Sequence, residues 1–420
     1  MKEIRPGKIK NCAVTVPGSK SYTHRSLIAA ALSDGTCRLE NCLDSEDTRL
    51  TRKALTQMGV TMTEKNGTTL IHGTGGRLSP CDEQIYLGNS GTSMRLLTAV
   101  AALGRGPYVL TGTERMTQRP IGDLLDGLNR IGVDARSLDH NGCPPLSIDG
   151  KNIKGGHVDL KCGLSSQFLS ALLLIGPYIP EGLDIAVVEG PVSKPYIDLT
   201  VTIMETFGVR LERERYNRFR VPGGQCYRSG EYTVEADASQ AGYFWAAAAV
   251  TGATVKVLGM SSASRQGDIR FLEVLEAMGC RIAYETDGIS VSGGNLVSVE
   301  VDMSDMPDMV PTLAVVAAFA RGTTAIRNVA HLKAKESDRL AVVATGLNRM
   351  GIIAMNDNVG LTITGGRPKG ARIDPYNDHR IAMSFAVAGL VTPGVVILDE
   401  TCVEKSFPEF WQVFETLYES

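Results

Sequence analysis

Apolar and polar positions along the chain repeat with a period of roughly 70 residues. An alanine-rich apolar stretch with helical spacing ends near a glycine six times, at Gly35, Gly106, Gly182, Gly252, Gly322 and Gly394. Glycine is common just past a helix end because it adopts the left-handed conformation without strain. The pattern therefore predicts six repeated units, each opening with an apolar helix.

A second, amphipathic helix is predicted in each unit, and it closes with a bulky residue and a glycine, as in "MGV" and "FGV". These glycines are Gly59, Gly132, Gly208, Gly279 and Gly351. Two alternating segments joined by a turn follow, as in "CRIAYETDGISVSGG", which is typical of a β-hairpin. The predicted unit is β-α-β-α-β-β, so the fold class is α/β.

The sixth unit is predicted to end with the helix "FPEFWQVFETLYES", which runs to Ser420 and leaves no residues for a closing hairpin. Residues 1 to about 17 are predicted to complete that unit. The units then group as three plus three. One lobe comprises residues 18–235 and the other residues 1–17 with 236–420, and a hinge lies where the chain crosses near Pro17 and Glu235.

Composition and charge exclude several classes of protein. The 420 residues are 43% hydrophobic and 21% charged, enough to build large cores in two or three domains. No signal peptide and no apolar run of about 18 residues is evident, so the expected location is the cytoplasm. Nine cysteines without CxxC spacing favour reduced thiols over disulfides or a zinc site. A net charge of -3 argues against a general nucleic-acid surface but permits a local anion pocket.

Basic residues recur in, or just before, the first turns of the predicted helices, where the positive end of the helix dipole disfavours them. They are Lys20, Arg25, Arg119, Lys194, Lys335, Arg339, Arg380 and Lys405. Any one of them alone is best explained as a solvated surface charge. Together they indicate a functional site, because free N–H groups at helix starts bind anions and cations beside them add charged donors. We infer that the missing anion is a substrate.

Polar residues at other helix starts have both an ordinary and a functional explanation. Ser165, Ser166 and Gln167 could cap a helix or form a phosphate cradle. Gly91 in "NSGTSMR" could form a tight turn or allow a ligand to approach the backbone.

Two carboxylates lie among these cations. Asp308 is an ordinary residue for a first helical turn, and Glu336 could simply pair with Arg339 three residues later. Each should stay ionised beside so many cations, and each could act as a base.

Nine segments, in order along nearly the whole chain, resemble the motifs of the 3-phosphoshikimate 1-carboxyvinyltransferase family, also called 5-enolpyruvylshikimate-3-phosphate synthases. They read "PGSKSYTHR", "LGNSGTSMR", "RPIGDL", "LSSQF", "SKPYIDLT", "DASQAGYF", "KESDRL", "NDHRIAM" and "KSFPEFW". The resemblance implies two similar lobes, each with three β-α-β-α-β-β units whose helices pack inside mixed sheets. The lobes close on a central site.

The resemblance also implies the reaction. The enolpyruvyl group of phosphoenolpyruvate is transferred to the 5-hydroxyl of shikimate 3-phosphate through a tetrahedral ketal phosphate, and phosphate is released. The implied enzyme is a monomer with no metal or organic cofactor and no nucleic-acid or membrane partner. The two substrates carry about six negative charges near pH 7, which the cations listed above other than Lys194 could balance.

Site residues carried over by motif fall into three groups. Those implied to bind shikimate 3-phosphate are Lys20, Ser21, Arg25, Ser165, Ser166, Gln167, Ser193, Tyr196, Asp308 and Lys335. Those implied to bind phosphoenolpyruvate are Lys20, Gly91, Arg119, Gln167, Arg339, Arg380 and Lys405. Asp308 is the implied base for the 5-hydroxyl, Glu336 handles the proton at the methylene, and Lys20 lies between both substrates. His331 and the ligand contact of Lys194 are left out of the site.

Two alternatives have different sequence requirements. The enolpyruvyl transferase that acts on UDP-N-acetylglucosamine uses a reactive cysteine in the loop matching "GTERMTQRP", and this stretch contains none. A non-enzymatic ring of repeats such as a DNA clamp would need basic residues along the helices themselves, whereas here they cluster at helix starts.

Overall fold

The fold was analysed in a computed structural model that describes residues 1–65 and 67–419. The helices are α1 (Lys20–Leu32), α2 (Glu46–Gln57), α3 (Gly91–Ala101), α4 (Gly122–Arg130), α5 (Gln167–Ile175), α6 (Pro195–Thr206), α7 (Ala238–Thr251), α8 (Phe271–Ala277), α9 (Val310–Ala317), α10 (Arg339–Arg349), α11 (His379–Gly389) and α12 (Phe410–Glu415). Short 3-10 helices include Met116–Gln118, Gly267–Arg270, Pro307–Met309, Ala330–Ala334 and Thr401–Lys405.

The first fourteen strands are β1 (Lys2–Ile4), β2 (Cys12–Thr15), β3 (Thr36–Glu40), β4 (Thr61–Lys65), β5 (Thr68–His72), β6 (Ile85–Tyr86), β7 (Pro107–Thr111), β8 (Asp134–Ser137), β9 (Leu146–Asp149), β10 (Gly156–Lys161), β11 (Leu183–Glu189), β12 (Glu212–Glu214), β13 (Arg218–Val221) and β14 (Glu231–Thr233). The remaining strands are β15 (Thr254–Leu258), β16 (Arg281–Glu285), β17 (Gly288–Ser292), β18 (Glu300–Asp302), β19 (Thr323–Arg327), β20 (Ile353–Asn356), β21 (Leu361–Thr364), β22 (Arg372–Ile373) and β23 (Val395–Ile397).

The chain forms two compact units. Residues 18–234 make one, here called the central unit, and residues 1–17 with 235–420 make the other, called the terminal unit. The sheets of the central unit have the strand orders β14-β3-β5-β4, β6-β7-β9-β8 and β10-β11-β13-β12. Those of the terminal unit are β16-β17-β15-β2, β18-β19-β21-β20 and the three-stranded β1-β23-β22.

The predicted repeat is confirmed most directly in the second, third and fifth units. In the second, β6 leads through α3 to the parallel strand β7, and α4 leads to the antiparallel hairpin β8–β9. A parallel pair needs a crossover, which the apolar helix provides. The final hairpin needs only a short turn, so one compact motif can be repeated along the chain.

The prediction for the N-terminal residues is only partly right. Strand β1 does complete the sixth sheet, where it pairs with β23, but β2 lies in the fourth sheet, parallel to β15. Strand β14 correspondingly joins the first sheet, parallel to β3. The first and fourth units therefore each take their opening strand from a segment that is not adjacent in sequence to that unit's own strands. The sixth unit has no closing hairpin, and its second helix is α12, shorter than predicted; Ser420 lies outside the described residues.

The first helix of each unit is enclosed. In α9 and α11 every residue is buried, and in α7 all but the last two are. The three such helices of the terminal unit contact one another, as do α1, α3 and α5 of the central unit. The second helices bury only one face: α4, for example, buries Leu124, Leu125, Gly127 and Leu128. The prediction that helices pack inside the sheets thus holds for the first helix of each unit.

The glycines that close the second helices adopt the predicted conformation. All five have positive φ, from 77° at Gly351 to 106° at Gly279. A β-carbon is strained there, so glycine fixes where these helices end. Of the glycines that end the first helices, Gly35 does not have a positive φ. The other five do: Gly106, Gly182, Gly252, Gly322 and Gly394.

All nine cysteines are free thiols, and five of them are buried. Among the described residues no helix has the length and apolar character needed to cross a bilayer.

A buried histidine makes stability depend on pH. His24 in α1 is fully buried, and its Nδ1 lies 2.8 Å from the hydroxyl of Thr51. Burial lowers the pKa of His24 to about 3, with Lys20 and Arg25 adding to the effect and Asp47 opposing it. The unfolded chain therefore takes up a proton near pH 6.5, whereas His24 in the folded chain stays neutral until the pH approaches 3. The stability associated with this group is fully present above pH 6.5, and the free energy of unfolding decreases as the pH falls toward 3.

We expect His24→Asn to flatten the fall in unfolding free energy between pH 6.5 and 4 by up to about 1.4 kcal/mol per pH unit. Urea titrations at several pH values measure this slope. His157→Asn is the comparison variant: Asp184 and Asp159 raise the pKa of this exposed histidine, so its removal should lower stability in acid instead. Equal slopes for wild type and His24→Asn would contradict the prediction.

Candidate active site

Lys20 begins α1 and faces a buried carboxylate of the same unit. Its Nζ donates to Oδ2 of Asp47 in α2 at 3.1 Å, and the two side chains are 11% and 2% exposed. The first turn of α1 contains no acidic residue. The carboxylate that pairs with the ammonium comes from the neighbouring helix α2. A nearly buried lysine with one exposed edge can contact an anion without losing its protein partner.

Arg25 lies one turn further along α1 and is 1% exposed. Its Nε donates to the hydroxyl of Thr200 at 2.7 Å, and Nη1 donates to the carbonyl of Ser21 at 2.9 Å. Nη2 donates to the carbonyl of Tyr196 at 3.2 Å. Burial lowers the pKa of Arg25 to about 10, which still leaves it cationic at neutral pH. These contacts fix the guanidinium and bring the predicted residues Ser21, Arg25 and Tyr196 together.

Arg119 and Gly91 form a second cluster in the central unit. Arg119 is 3% exposed, and its Nη1 donates to the backbone and side-chain oxygens of Asn89 at 2.9 and 3.1 Å. A Cβ added at Gly91 would lie 2.3 Å from Nη2 and 2.7 Å from Cζ of Arg119. Gly91 has an ordinary φ, so its role is to leave space for the guanidinium.

We expect Gly91→Ala to raise the KM for phosphoenolpyruvate by about tenfold, because the new methyl group forces the guanidinium of Arg119 to move. Folding should change little, since a flexible side-chain end gives way. Steady-state kinetics and thermal unfolding test this. Gly366→Ala is the control, because its φ is not positive and a Cβ there would meet only Cδ1 of Ile352, at 3.4 Å. An unchanged KM in Gly91→Ala would contradict the prediction.

The remaining predicted residues of the central unit are near the start of α5 and the segment before α6. Ser165 and Ser166 are buried. Oγ of Ser165 accepts from the backbone N–H of Gln167, the first residue of α5, at 3.2 Å, whereas Ser166, the N-cap, makes no side-chain capping bond. Gln167 accepts from Arg95 at 2.9 Å and donates to Thr92 at 2.9 Å. Ser193 is buried with φ 54°, a left-handed conformation that is uncommon outside glycine. Strain of this kind clusters at binding sites.

The terminal unit brings two arginines onto one carboxylate. Arg339 Nη1 donates to Asp308 Oδ1 at 2.9 Å, and Arg380 Nη2 donates to Asp308 Oδ2 at 2.7 Å. Arg339 also donates to Glu336 Oε2 and to Asp378 Oδ2, both at 2.8 Å. The Asp378 side chain is fully buried. Two consecutive left-handed residues, Tyr376 (φ 52°) and Asn377 (φ 55°), make the turn that precedes it.

The charges of this cluster shift its acid–base equilibria. Burial by itself would raise the pKa of Asp308, but Arg380, Arg339 and Lys335 hold it far below the ordinary range. Burial, with Lys335 adding to the effect and Asp308 opposing it, lowers the pKa of His331 to about 3. His331, which was left out of the predicted site, thus lies within reach of the charges of Lys335 and Asp308.

The comparisons with known proteins identify the family. The model described as EPSP synthase (3-phosphoshikimate 1-carboxyvinyltransferase) matches residues 4–414. A protein of that name from Syntrophobacter fumaroxidans is 45% identical over 99% of both chains, and one from Methanoculleus marisnigri is 45% identical over 96% of both. The chain belongs to the EPSP synthase family. An EPSP synthase structure from Acinetobacter baumannii is 32% identical, with a TM-score of 0.83 over 99% of this chain and 98% of that one.

Family membership confirms the predicted activity, a 3-phosphoshikimate 1-carboxyvinyltransferase, and the α/β class. The alternative transferase and the DNA clamp are thereby set aside. The roles of individual residues stay predictions.

The dipole argument that first pointed to an EPSP synthase site needs correction. Lys405 is the last residue of the 3-10 helix Thr401–Lys405, where a cation does not oppose the dipole, and Arg25 lies in the second turn of α1. Arg119 precedes α4 by three residues and Lys335 precedes α10 by four. Lys20, Arg339 and Arg380 do lie in first turns, and Lys194 is the N-cap of α6.

The inference that only a substrate offsets these cations is also wrong in part. Asp47, Asp308, Glu336 and Asp378 already pair with Lys20, Arg339 and Arg380. A chain without ligand must balance its buried charges internally, because an unpaired buried ion is costly. Incoming substrate anions therefore compete with these carboxylates.

Several side chains that contact the predicted site residues were missed by sequence reasoning. They are Asp47, Asn89, Arg95, Thr200 and Asp378. Only Asp378 carries a signal of its own, since it precedes a helix as the N-cap in "NDHR". A wide pocket of about 1050 Å³ in the terminal unit, lined by residues such as Thr251 and Arg321, contains none of the predicted site residues.

Proposed function

We propose that the protein transfers the enolpyruvyl group of phosphoenolpyruvate to the 5-hydroxyl of shikimate 3-phosphate and releases phosphate. The observation that carries this proposal is the carboxylate of Asp308 held by Arg339 and Arg380, a potential base beside two anion-binding groups. Family membership supplies the substrates.

The central unit would bind most of shikimate 3-phosphate. Arg25 and Ser21 suit its carboxylate, since the guanidinium is already fixed by Thr200 and by backbone carbonyls. Its phosphate would bind the hydroxyls of Ser165, Ser166 and Ser193. Gln167 and Tyr196 would contact the ring, and Gln167 is oriented by Arg95 and Thr92.

Cations would bind phosphoenolpyruvate. In the terminal unit these are Arg339, Arg380 and Lys405. In the central unit they are Arg119 and Lys20, and the missing side chain at Gly91 leaves room beside Arg119. All five cations are nearly buried, so their attraction for an anion is little screened by water.

Substrate binding would activate the base. In the ligand-free chain Asp308 is a weak base, because Arg339 and Arg380 donate directly to it. When the carboxylate of phosphoenolpyruvate accepts from these arginines, it takes part of their charge and the pKa of Asp308 rises. The base then removes the 5-hydroxyl proton only when both substrates are present, and Lys335 would help to hold the sugar-like hydroxyls.

The remaining proton transfers would involve Glu336 and Asp308. Glu336 would enter this step protonated. As the 5-oxygen bonds to C2 of phosphoenolpyruvate, it would deliver its proton to C3, which gives the tetrahedral ketal phosphate and leaves Glu336 ionised. Glu336 would then take a proton from the same carbon while the C2–O bond to phosphate breaks and the enol ether forms, and the proton left on Asp308 would pass to the departing phosphate. Lys20 would stabilise the charge that develops on the leaving phosphate.

A phosphate-release assay tests the acceptor. Release should require both phosphoenolpyruvate and shikimate 3-phosphate, and the product should carry the enolpyruvyl group at the 5-oxygen. Release with phosphoenolpyruvate alone, or with UDP-N-acetylglucosamine in place of shikimate 3-phosphate, would show that the acceptor assignment is wrong. The monomeric state and cytoplasmic location stay predictions.

A further inference from the structure

A buried carboxyl lies one hydroxyl away from Arg380 and has no part in the mechanism above. Asp268, in the 3-10 helix Gly267–Arg270, is 4% exposed. Its Oδ2 accepts a hydrogen bond from the hydroxyl of Ser239 in α7. Its other oxygen, Oδ1, has no hydrogen-bond partner among the described residues. A buried carboxyl with so few partners is costly, so its presence needs a reason.

The hydroxyl of Ser239 connects this carboxyl to the guanidinium. Nη2 of Arg380 lies 3.4 Å from Oγ of Ser239, and the same nitrogen donates to Asp308. A serine hydroxyl has a single hydrogen. When that hydrogen points to Asp268, the oxygen lone pairs are left to face Arg380, so the carboxyl sets the direction in which Ser239 can accept.

The two arginines of the cluster are therefore held in related ways. Arg339 has a buried carboxylate, Asp378, as a direct partner through Nε at 2.8 Å. Arg380 has Asp268 as its second carboxyl, with Ser239 between them. Both arginines also share Asp308. If the substrate draws either arginine away from Asp308, other carboxyls keep the guanidinium in place: Asp378 and Glu336 for Arg339, and Asp268, through Ser239, for Arg380.

We propose that Asp268 is a positioning residue: by orienting the hydroxyl of Ser239, it fixes the guanidinium of Arg380 for the carboxylate of phosphoenolpyruvate. This inference rests on the proposed function, because it takes phosphoenolpyruvate as the anion bound by Arg380. It assigns a role to two residues, Ser239 and Asp268, that do not themselves touch substrate.

The charge around Asp268 indicates which substitution preserves the role. Burial and the neighbouring Asp308 raise the pKa of Asp268, Asp237 adds to this, and Arg380 opposes it. The neutral carboxyl is thus favoured relative to an exposed aspartate, and it still offers an oxygen acceptor to Ser239. Asparagine keeps such an oxygen at the same place, whereas leucine keeps the size and removes the acceptor.

The test compares steady-state kinetics of Asp268→Leu, Asp268→Asn and Ser239→Ala with wild type. Asp268→Leu and Ser239→Ala should each raise the KM for phosphoenolpyruvate about five- to tenfold. Their kcat should stay within about threefold and the KM for shikimate 3-phosphate within about twofold. Asp268→Asn should restore the KM for phosphoenolpyruvate to within about twofold of wild type.

Two further variants separate positioning from a general structural effect. The double variant Ser239→Ala with Asp268→Leu should be no worse than the poorer single variant, because both changes interrupt one chain of contacts. Ser290→Ala is the matched control: it removes the bond that the hydroxyl of Ser290 in β17 donates to the carboxylate of Glu285, in the β16–β17 hairpin of the same unit. It should leave every kinetic constant unchanged.

The proposal is overturned if Asp268→Leu leaves the KM for phosphoenolpyruvate unchanged, if both Michaelis constants rise together, or if Asp268→Asn is as impaired as Asp268→Leu. If thermal denaturation shows that Asp268→Leu does not fold, Ser239→Ala alone decides. An unchanged KM for phosphoenolpyruvate in Ser239→Ala then refutes the role. A wild-type protein that releases no phosphate would instead refute the proposed function.

Discussion

Replacing Asp308 with asparagine is expected to lower kcat by about three orders of magnitude, the range typical for loss of a general base. Asparagine keeps the shape and an oxygen that can accept from Arg339 or Arg380, which donate to Asp308 at 2.9 and 2.7 Å. What it removes is the ability to take the 5-hydroxyl proton. The Michaelis constants should therefore change much less than kcat, which initial-rate kinetics with both substrates will show.

The control for this variant lies three residues earlier. Asp305 is partly exposed and forms a long ion pair with Arg270 at 3.7 Å, outside the cluster. Asp305→Asn should have wild-type kinetics. If Asp308→Asn keeps kcat within about tenfold of wild type, Asp308 is not the base. Asp308→Ala should raise the KM for phosphoenolpyruvate more than Asp308→Asn does, because alanine removes the acceptor that the two guanidinium groups share.

Replacing Lys20 with methionine is expected to lower kcat/KM for phosphoenolpyruvate by about a thousandfold, comparable to losing a key donor to transition-state charge. Methionine keeps the stem and removes the ammonium. It also exposes the incoming anions to the carboxylate of Asp47, whose partner at 3.1 Å has been deleted. The measurement is phosphate release under limiting phosphoenolpyruvate.

The repulsion by Asp47 can be tested separately. Adding Asp47→Asn to Lys20→Met should recover roughly five- to tenfold of the loss, since a negative charge that repels the anions is removed. Lys53→Met on the exposed face of α2 is the control and should have no effect. Activity of Lys20→Met within about tenfold of wild type would exclude Lys20 from the reaction.

The predicted parts of the fold are those set by local conformation. Gly59, Gly132, Gly208, Gly279 and Gly351 all have the positive φ that their position after a helix required. The hairpins that follow also form as predicted, for example β16–β17. These features depend on a few neighbouring residues, so the sequence shows them directly.

Strand exchange at the ends of the units could not be predicted in the same way. Strand β2 is followed in sequence by α1 but pairs with β15, and β14 is followed by α7 but pairs with β3. Pairing partners that lie about 200 residues apart leave no local pattern. Only the folded chain decides which sheet an edge strand joins.

The same distinction between local sequence pattern and tertiary contact applies to the candidate site. Basic residues in unfavourable helical positions and a run of motifs marked Lys20, Arg339 and Arg380 from the sequence alone. Acidic residues near helix starts are ordinary, so nothing in the sequence distinguished Asp47 or Asp268 from surface carboxylates, and the signal at Asp378 was only that of an N-cap. Their burial against these cations is a product of tertiary packing.

The sequence by itself therefore determined the repeat, the ends of its second helices, the family and the cations near helix starts, because each follows from local propensity or from a contiguous motif. The tertiary structure alone decided which carboxylates neutralise those cations, where β2 and β14 pair, and how Ser239 and Asp268 approach Arg380. Such contacts join residues far apart in the chain, and their energies depend on burial that no local pattern of residues specifies.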